Sequence, residues 1–359
     1  VNIAVAKSKI KCVVWDLDNT LWDGILLEST GEMEPKAEAV ALIEELDNRG
    51  ILQSIASRNE HDIALAALDA CGLKDYFLYP QIGWGAKSQA LSAIAEQLNI
   101  GIDTFAFIDD QPFEREEVQS VHTQVRVFDE TELSALASRD DFNPLYVTDD
   151  SKQRRALYQR DALRKQAQDS FAGPEESFLR SLEMKLTLAP AREKDLFRAE
   201  ELTVRTNQLN TTGVTYSVDD LRELIASPNH QVVVAELSDR YGSYGAIGLV
   251  LLSLNSQSAE AKRDWCIDLF LMSCRVMSRG VGGVILTLLR KSAFLAGQNL
   301  RARFVQTDRN RMMYVTYRFA GFTEEKGADL LINSLENIPA IPDYMAVTLD
   351  ADLGWCYES

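Results

Sequence analysis

Cys12-Val13-Val14-Trp15-Asp16-Leu17-Asp18-Asn19-Thr20-Leu21-Trp22-Asp23-Gly24 decides how the first half of the chain is read. Ile10 to Trp15 is a short apolar, β-branched run and predicts a buried strand. Two carboxylates one residue apart follow at once, with Thr20 two further on. In an open α/β sheet, ligands sit beyond the carboxyl ends of strands, which is where Asp16 and Asp18 fall. Acids so close repel unless a cation or proton intervenes, so a hard, oxygen-loving metal such as Mg²⁺ suits them. A carboxylate nucleophile could there attack phosphorus while its neighbour handles protons. Alone, an Asp-x-Asp pair also reads as an acidic turn; the motifs that follow decide between the two.

The chain has 359 residues, which predicts about two domains. A hydrophobic fraction of 46% with mixed charge is that of a globular protein. No apolar run approaches the roughly 20 residues a membrane span needs, so no membrane partner is expected. A net charge of −17 argues against nucleic acid as a partner. Five cysteines, odd in number and without zinc spacing, predict free thiols in a reducing, cytoplasmic setting. The missing initiator Met is read as the mark of a piece excised from a longer polypeptide or of a trimmed chain. Basic residues cluster at Arg154, Arg155, Arg160, Arg164 and Lys165, where a solvated helix face is expected, and again at Arg301, Arg303, Arg309 and Arg311.

Downstream of the opening stretch, Lys36 to Arg49 has helical spacing and stops at Gly50. Ile51 to Ala56 is the next strand, and Tyr76 to Ile82 a short one. Ser57 closes the second strand and reads either as an N-cap or as a donor to a phosphoryl oxygen. Lys87 lies in the first turn of a helix, where it opposes the dipole, so it is best explained by an anion or carboxylate cluster in front of it. Thr104 to Ile108 is another buried strand and ends in a second acidic pair, Asp109-Asp110.

Strand-Asp-x-Asp-x-Thr, strand-Ser, helix-Lys and strand-Asp-Asp, in that order over residues 8–130, resemble the haloacid dehalogenase (HAD) phosphatase superfamily. The resemblance implies a Rossmannoid parallel sheet without a large cap. It implies Asp16 as the nucleophile forming an aspartyl-phosphate and Asp18 as general acid/base, its backbone carbonyl near the metal. Ser57, Arg58 and Lys87 would hold the phosphoryl group, and Asp109 with Asp110 would complete a Mg²⁺ site that includes Asp16 and Asp18.

Residues 129–150 carry Ser, Asp, Asn and Pro without a period and are read as the linker, giving domains 1–145 and 146–359. In the second, Arg205-Thr206-Asn207-Gln208-Leu209-Asn210-Thr211-Thr212-Gly213 is a polar loop that either faces solvent or lines a site. Three antiparallel strands are expected over 231–237, 245–253 and 264–273. Arg279-Gly280-Val281-Gly282-Gly283-Val284 then opens an apolar helix, a cradle for phosphate oxygens on backbone amides. This resembles the acyl-CoA segment of the GCN5-related N-acetyltransferase (GNAT) fold, with Val284 where Gly or Ala is usual. It implies an α+β C-terminal domain.

Cys274 precedes that helix with Arg275 beside it, a setting that favours thiolate; the competing reading is a small core residue. The combination Trp-Asp-Leu-Asp-Asn-Thr-Leu-Trp, Ile-Asp-Asp, Arg-Thr-Asn-Gln and Ser-Cys-Arg-Val resembles the FkbH-like family over nearly the whole chain, with Gln111 and Ser278 as departures. These are bifunctional glyceryltransferase/phosphatases of polyketide assembly lines. The resemblance implies that 1,3-bisphosphoglycerate, a phosphorylated three-carbon acyl donor, acylates Cys274. The phosphatase site removes the remaining phosphate, and the acyl group passes to the phosphopantetheine thiol of an acyl carrier protein. Arg205, Asn207, Gln208, Asn210, Arg275, Arg279, Gly280, Gly282, Thr307 and Asn310 are the candidate acyl or pantetheine contacts. The competing function is a Mg²⁺-dependent small-molecule phosphatase joined to a CoA-dependent N-acyltransferase.

Overall fold

The computed structural model describes residues 9–29, 31–144, 146–206, 208–255, 264–325 and 329–356. The chain divides into two compact units, Val1–Gln159 and Arg160–Ser359.

The first unit alternates strand and helix: β1 (Cys12–Trp15), α1 (Ala37–Asn48), β2 (Leu52–Ser57), α2 (His61–Ala70), β3 (Gln81–Ile82), α3 (Lys87–Leu98), β4 (Phe105–Ile108), α4 (Pro112–Val121) and β5 (Arg126–Phe128). The sheet is parallel throughout, in the order β3-β2-β1-β4-β5. β1 is therefore the strand at which the winding reverses, and its carboxyl end opens into the crevice where such sheets bind ligands. All four β1 residues are buried, as a strand covered on both faces requires. Val13 and Trp15 pack into one apolar layer, Cys12 and Val14 into the other. Over 76–82, expected as strand, only Gln81–Ile82 forms a strand, paired with β2, while Phe77 makes an isolated parallel bridge to Gln53; Tyr76 ends a 3₁₀ turn over Lys74–Tyr76.

The stretch read as a linker is packed. α5 (Leu133–Leu136) buries Leu133 and Leu136 against the first core, and Phe142 meets Phe128 edge-on at 5.6 Å. α6 (Asp149–Lys152) and α7 (Arg154–Asp169) follow, and the division between units falls inside α7 rather than at 145–146.

The second unit holds α8 (Glu175–Ser181), β6 (Met184–Pro190), α9 (Leu196–Arg205), α10 (Val218–Ala226), β7 (His230–Asp239), β8 (Gly242–Asn255) and β9 (Asp264–Met272), then α11 (Val281–Leu295), β10 (Asn299–Arg303), α12 (Arg311–Phe319), β11 (Phe322–Glu324), β12 (Leu330–Asn333) and β13 (Met345–Leu349). Its mixed sheet runs β11-β12-β10-β9-β8-β7-β6-β13. The three central expected strands pair antiparallel, with Asp239 and Gly242 partnered across a two-residue turn. β9 and β10 are parallel, paired from Asp264 to Ile267 only, and beyond that point they part. Among the described residues, no helix is long and apolar enough to cross a membrane.

The basic helix face expected to be solvated is largely turned inward. Arg154 donates to the Gly50 carbonyl at 2.6 Å, and Arg155 forks onto Asp47. In the second unit Arg164 is fully buried: it clasps Asp239 through two bonds of 2.8 and 2.9 Å, reaches Asp161 at 2.8 Å, and lies 3.6 Å from the Tyr244 ring centroid. Lys165 does face solvent. The sequence shows charge but not the acids that other elements bring to it.

Asp239 is as buried as its partner, so removing one side leaves an unmatched interior charge. Arg164→Met should destabilise the second unit by about 3–5 kcal/mol. Urea unfolding followed by tryptophan fluorescence measures this, and a loss below about 1 kcal/mol would contradict the reading.

Candidate active site

Asp16 follows β1 directly and is almost closed to solvent. Its amide donates to the Ile108 carbonyl of β4 at 2.9 Å, which brings the turn after β1 against Asp109. Lys87, at the start of α3, is 4% exposed and places Nζ 2.8 Å from Asp16 Oδ1, with its other contact on Asp109 Oδ2. The lysine therefore faces the carboxylate cluster that its place in the first helical turn called for. Glu117 of α4 supplies the negative charge that the α3 N-terminus would otherwise lack, accepting from the Ser88 amide and hydroxyl at 3.0 and 2.5 Å.

Asp16, Asp109 and Asp110 offer oxygens that all lie within 4.8 Å of one another. Thr20 joins the two acidic turns: its hydroxyl accepts from the Asp110 amide at 3.0 Å. The hydroxyl of Ser57, at the end of β2, favours the ionised form of Asp16. Burial pushes Asp16 up from the usual carboxylate range, against the pull of Lys87. Asp109 is pushed up to about 6, by burial first and by the charge of Asp16 second. For Lys87 burial acts downward, but the two carboxylates outweigh it and the ammonium is held above its ordinary range. Three carboxylates against one ammonium leave two negative charges to balance, which is what a divalent cation on oxygen donors supplies.

Asp18 is arranged differently from the other acids. Its Oδ1 accepts from Trp22 Nε1 at 2.9 Å and the Leu26 amide at 3.0 Å, and its Oδ2 accepts from Asn59 Nδ2 at 2.9 Å. The Asp18 carboxylate is thus held by three N–H groups, outside the cluster formed by Asp16, Asp109 and Asp110, while the atom expected near the metal is its backbone carbonyl. The turn that presents it depends on left-handed backbone at Asn19 and Gly24, where Asn19 Oδ1 takes the Gly24 amide at 3.0 Å. Arg58, expected on phosphate, pairs with buried Glu114 at 3.0 Å while its own side chain stays 41% exposed. Trp22, Asn59, Glu114 and Glu117 were not singled out from sequence. Only Asn59, two residues past Ser57 at the same strand end, left a usable signal.

In the second unit, Cys274 is half-buried and opens a 3₁₀ turn, Cys274–Arg279, that separates β9 from α11. It is not part of the apolar core, although Met272 and Val276 on either side are. Cys266, by contrast, is buried on β9 and pushed up to about 12 by burial and by Asp268. Arg275 donates to the Tyr244 carbonyl at 2.8 Å, and its Nη1 has no hydrogen-bond partner, with Asp161 Oδ2 3.9 Å away. Arg279 turns inward to Gln168 Oε1 at 3.0 Å.

Several expected ligand contacts also have partners within the fold. A Cβ on Gly282 would fall 2.6 Å from Met272 Cε, so this glycine permits close approach of α11 to β9. Gly280 has φ +72° and backs onto the Tyr344 hydroxyl; Gly283 is the one facing open space. The loop read as polar and accessible is mostly buried from Leu209 to Thr212. Met272 donates to the Leu209 carbonyl at 2.9 Å, Thr211 to the Phe270 carbonyl at 3.0 Å, and Val305 to the Thr211 carbonyl at 3.0 Å. The loop therefore fills the gap opened where β9 and β10 part. Asn210 takes the Thr212 and Gly213 amides on Oδ1 and donates to the Val214 carbonyl. Asn310 donates to the Asn210 and Val305 carbonyls, and its Oδ1 holds the Thr307 amide, so both ends of each amide tie chain to chain. The Thr307 hydroxyl accepts from the Arg309 and Asn310 amides. Arg205 pairs with Glu201 at 3.1 Å, Gln208 is exposed, and Asn207 lies outside the described residues. Of the later basic cluster, Arg301, Arg303 and Arg309 each stand beside an aspartate.

No family model and no curated protein matches the chain. Among solved structures, the chain is similar to the N-terminal part of a Bacteroides fragilis protein containing a phosphatase domain complexed with Mg. That match is 28% identical, covers 34% of this chain and 36% of that one, and has a TM-score of 0.32. The chain thus spans little more than a third of that protein's length. It is also similar to a HAD-superfamily hydrolase from Ehrlichia chaffeensis (15% identity, 34% of this chain and 92% of that one, TM-score 0.29). A third likeness is to an aminoglycoside 6′-N-acetyltransferase from Acinetobacter baumannii (13% identity, 40% of this chain and 94% of that one, TM-score 0.32).

Cation binding at the cluster should depend on pH with a defined sign. Asp109 is raised above its unfolded value, so its contribution to stability is full below the unfolded pKa and is lost as pH rises through about 6. A divalent cation needs the ionised form. The rise in melting temperature on adding Mg²⁺ should therefore be larger at pH 7.5 than at pH 5, and Asp109→Asn should remove most of it. Equal shifts at both pH values would exclude Asp109 from the site.

Proposed function

We propose that the chain is a bifunctional enzyme: a Mg²⁺-dependent phosphatase in its first unit and a cysteine-based acyltransferase in its second. The observation that carries the first half is the juxtaposition of Asp16, Lys87, Asp109 and Asp110 at the carboxyl end of the central parallel strand. Asp16, Asp109 and Asp110 would hold Mg²⁺, which when bound neutralises charge on the phosphoryl oxygens. Asp16 is the nucleophile, oriented by Lys87 and by the Ser57 hydroxyl. Asp18, held away from the cluster, exchanges protons with the leaving oxygen and with the hydrolytic water. Lys87 and Ser57 would contact the transferring phosphoryl group.

In the second unit, Cys274 carries the acyl group. Its half-exposure, the adjacent Arg275 and the following N-terminus of α11 support a reactive thiolate. Together with the sequence resemblance to the FkbH-like family, this favours a hydroxyacyl unit, glyceryl or lactyl, taken from an acyl phosphate such as 1,3-bisphosphoglycerate. The phosphopantetheine thiol of an acyl carrier protein is the acceptor, and a polyketide assembly line the setting. Because the gap between β9 and β10 is filled by 209–212, the acceptor arm is expected on the open side of the turn, near Gly283 and Gln208.

Two experiments test the halves separately. Intact mass after incubation with 1,3-bisphosphoglycerate should show an acyl adduct that Cys274→Ala abolishes; an adduct that survives removes Cys274 as the carrier. Asp16→Asn should lower Mg²⁺-dependent phosphate release at least about 10³-fold, as loss of a covalent nucleophile does. Turnover of acetyl-CoA onto an amine without any thioester would decide for a CoA-dependent N-acyltransferase in place of the carrier reading.

A further inference from the structure

We infer that Asn59 is a positioning residue for proton transfer by Asp18, and that the transferring atom is Asp18 Oδ2; this rests on the phosphatase reading above. The two oxygens of Asp18 are unequally provided for. Oδ1 accepts from both Trp22 Nε1 and the Leu26 amide, whereas Oδ2 accepts from Asn59 Nδ2 alone. A carboxylate oxygen offers about two acceptor sites, so Oδ1 is filled and Oδ2 keeps one for a proton.

Asn59 is itself 1% exposed, and its Oδ1 has no hydrogen-bond partner. Buried amides that serve only to join chain segments engage both ends, as Asn210 and Asn310 do. Asn59 gives its side-chain amide to Asp18 and leaves a buried acceptor unmatched, which is costly unless the bond to Asp18 matters. The residue also stands two positions after Ser57, whose hydroxyl addresses Asp16. One strand end therefore orients both carboxylates of the Asp-x-Asp pair.

In the first half-reaction, an Asp16 oxygen bonds to phosphorus and the bond from phosphorus to the leaving oxygen breaks. The departing oxygen takes both electrons and receives a proton from Asp18 Oδ2. In the second, water attacks the aspartyl-phosphate and gives its proton to the same oxygen, and the bond to Asp16 breaks to release phosphate. The Asn59 N–H keeps Oδ2 directed at these oxygens in both.

The test compares leaving groups in single-turnover reactions with Mg²⁺. 4-Nitrophenolate departs without a proton, while the alkoxide of 3-phosphoglycerate or glycerol 3-phosphate requires one. Asn59→Ala should slow release of the alcohol from the alkyl ester roughly 10- to 100-fold and of 4-nitrophenolate from 4-nitrophenyl phosphate, which reads the first half-reaction alone, less than about threefold. Asn59→Leu, closer in volume, should behave alike should the alanine variant melt early. Equal losses on both esters, with Asp16→Asn inactive, would overturn the role of Asn59. Release at the wild-type rate in Asp16→Asn, or no Mg²⁺-dependent release by the wild type, would instead overturn the phosphatase reading and the inference with it.

Discussion

Placing three carboxylates at the ends of two adjacent strands creates a charge that folding alone cannot tolerate. Asp16 and Asp109 lie almost fully buried, and one ammonium, Lys87, stands between them. At low local dielectric this contact decides whether the turns after β1 and β4 can approach at all. Much of the surrounding construction serves it. Glu117 holds the first turn of α3 so that Lys87 points inward, and Thr20 fastens one acidic turn to the other. Asp109 stays raised, by burial first and by the charge of Asp16 second, and one ammonium against the three carboxylates leaves negative charge for a cation to balance.

Two acids separated by one residue therefore acquire different characters. Asp16 is directed into the charge cluster, while Asp18 is withdrawn from it onto an indole, a backbone amide and a side-chain amide. The strand alternation that turns successive side chains to opposite faces ends at Trp15, so the difference comes from the turn, whose course is set by left-handed Asn19 and Gly24. Two carboxylates one residue apart can then coexist without sharing one environment.

The second unit solves a different problem. A mixed sheet in which β9 and β10 separate midway exposes backbone donors and acceptors, and these need partners. Residues 209–212 provide them, anchored by Asn210 and Asn310. The glycines before α11 likewise serve first to bring helix and strand together, with Gly282 against Met272. Cys274 is left in a short turn between two core residues, half-open, where a thiol can be reached without the sheet being disturbed.

The α/β alternation and the Asp16, Ser57, Lys87 and Asp109-Asp110 positions were legible in the sequence because each rests on local physics, and the parallel sheet only through the resemblance those motifs carry. Apolar runs of strand length, helix stops at glycine and acids at strand ends are properties of short segments. Tertiary structure alone decided what long-range pairing controls. Arg164 became an interior cation because β7 carries Asp239 to it; the polar loop became a wedge because two strands diverge there; and Asn59 met Asp18 across 41 residues of chain. A sequence states which groups need a partner, but which partner arrives depends on packing among segments that are neighbours only once folded.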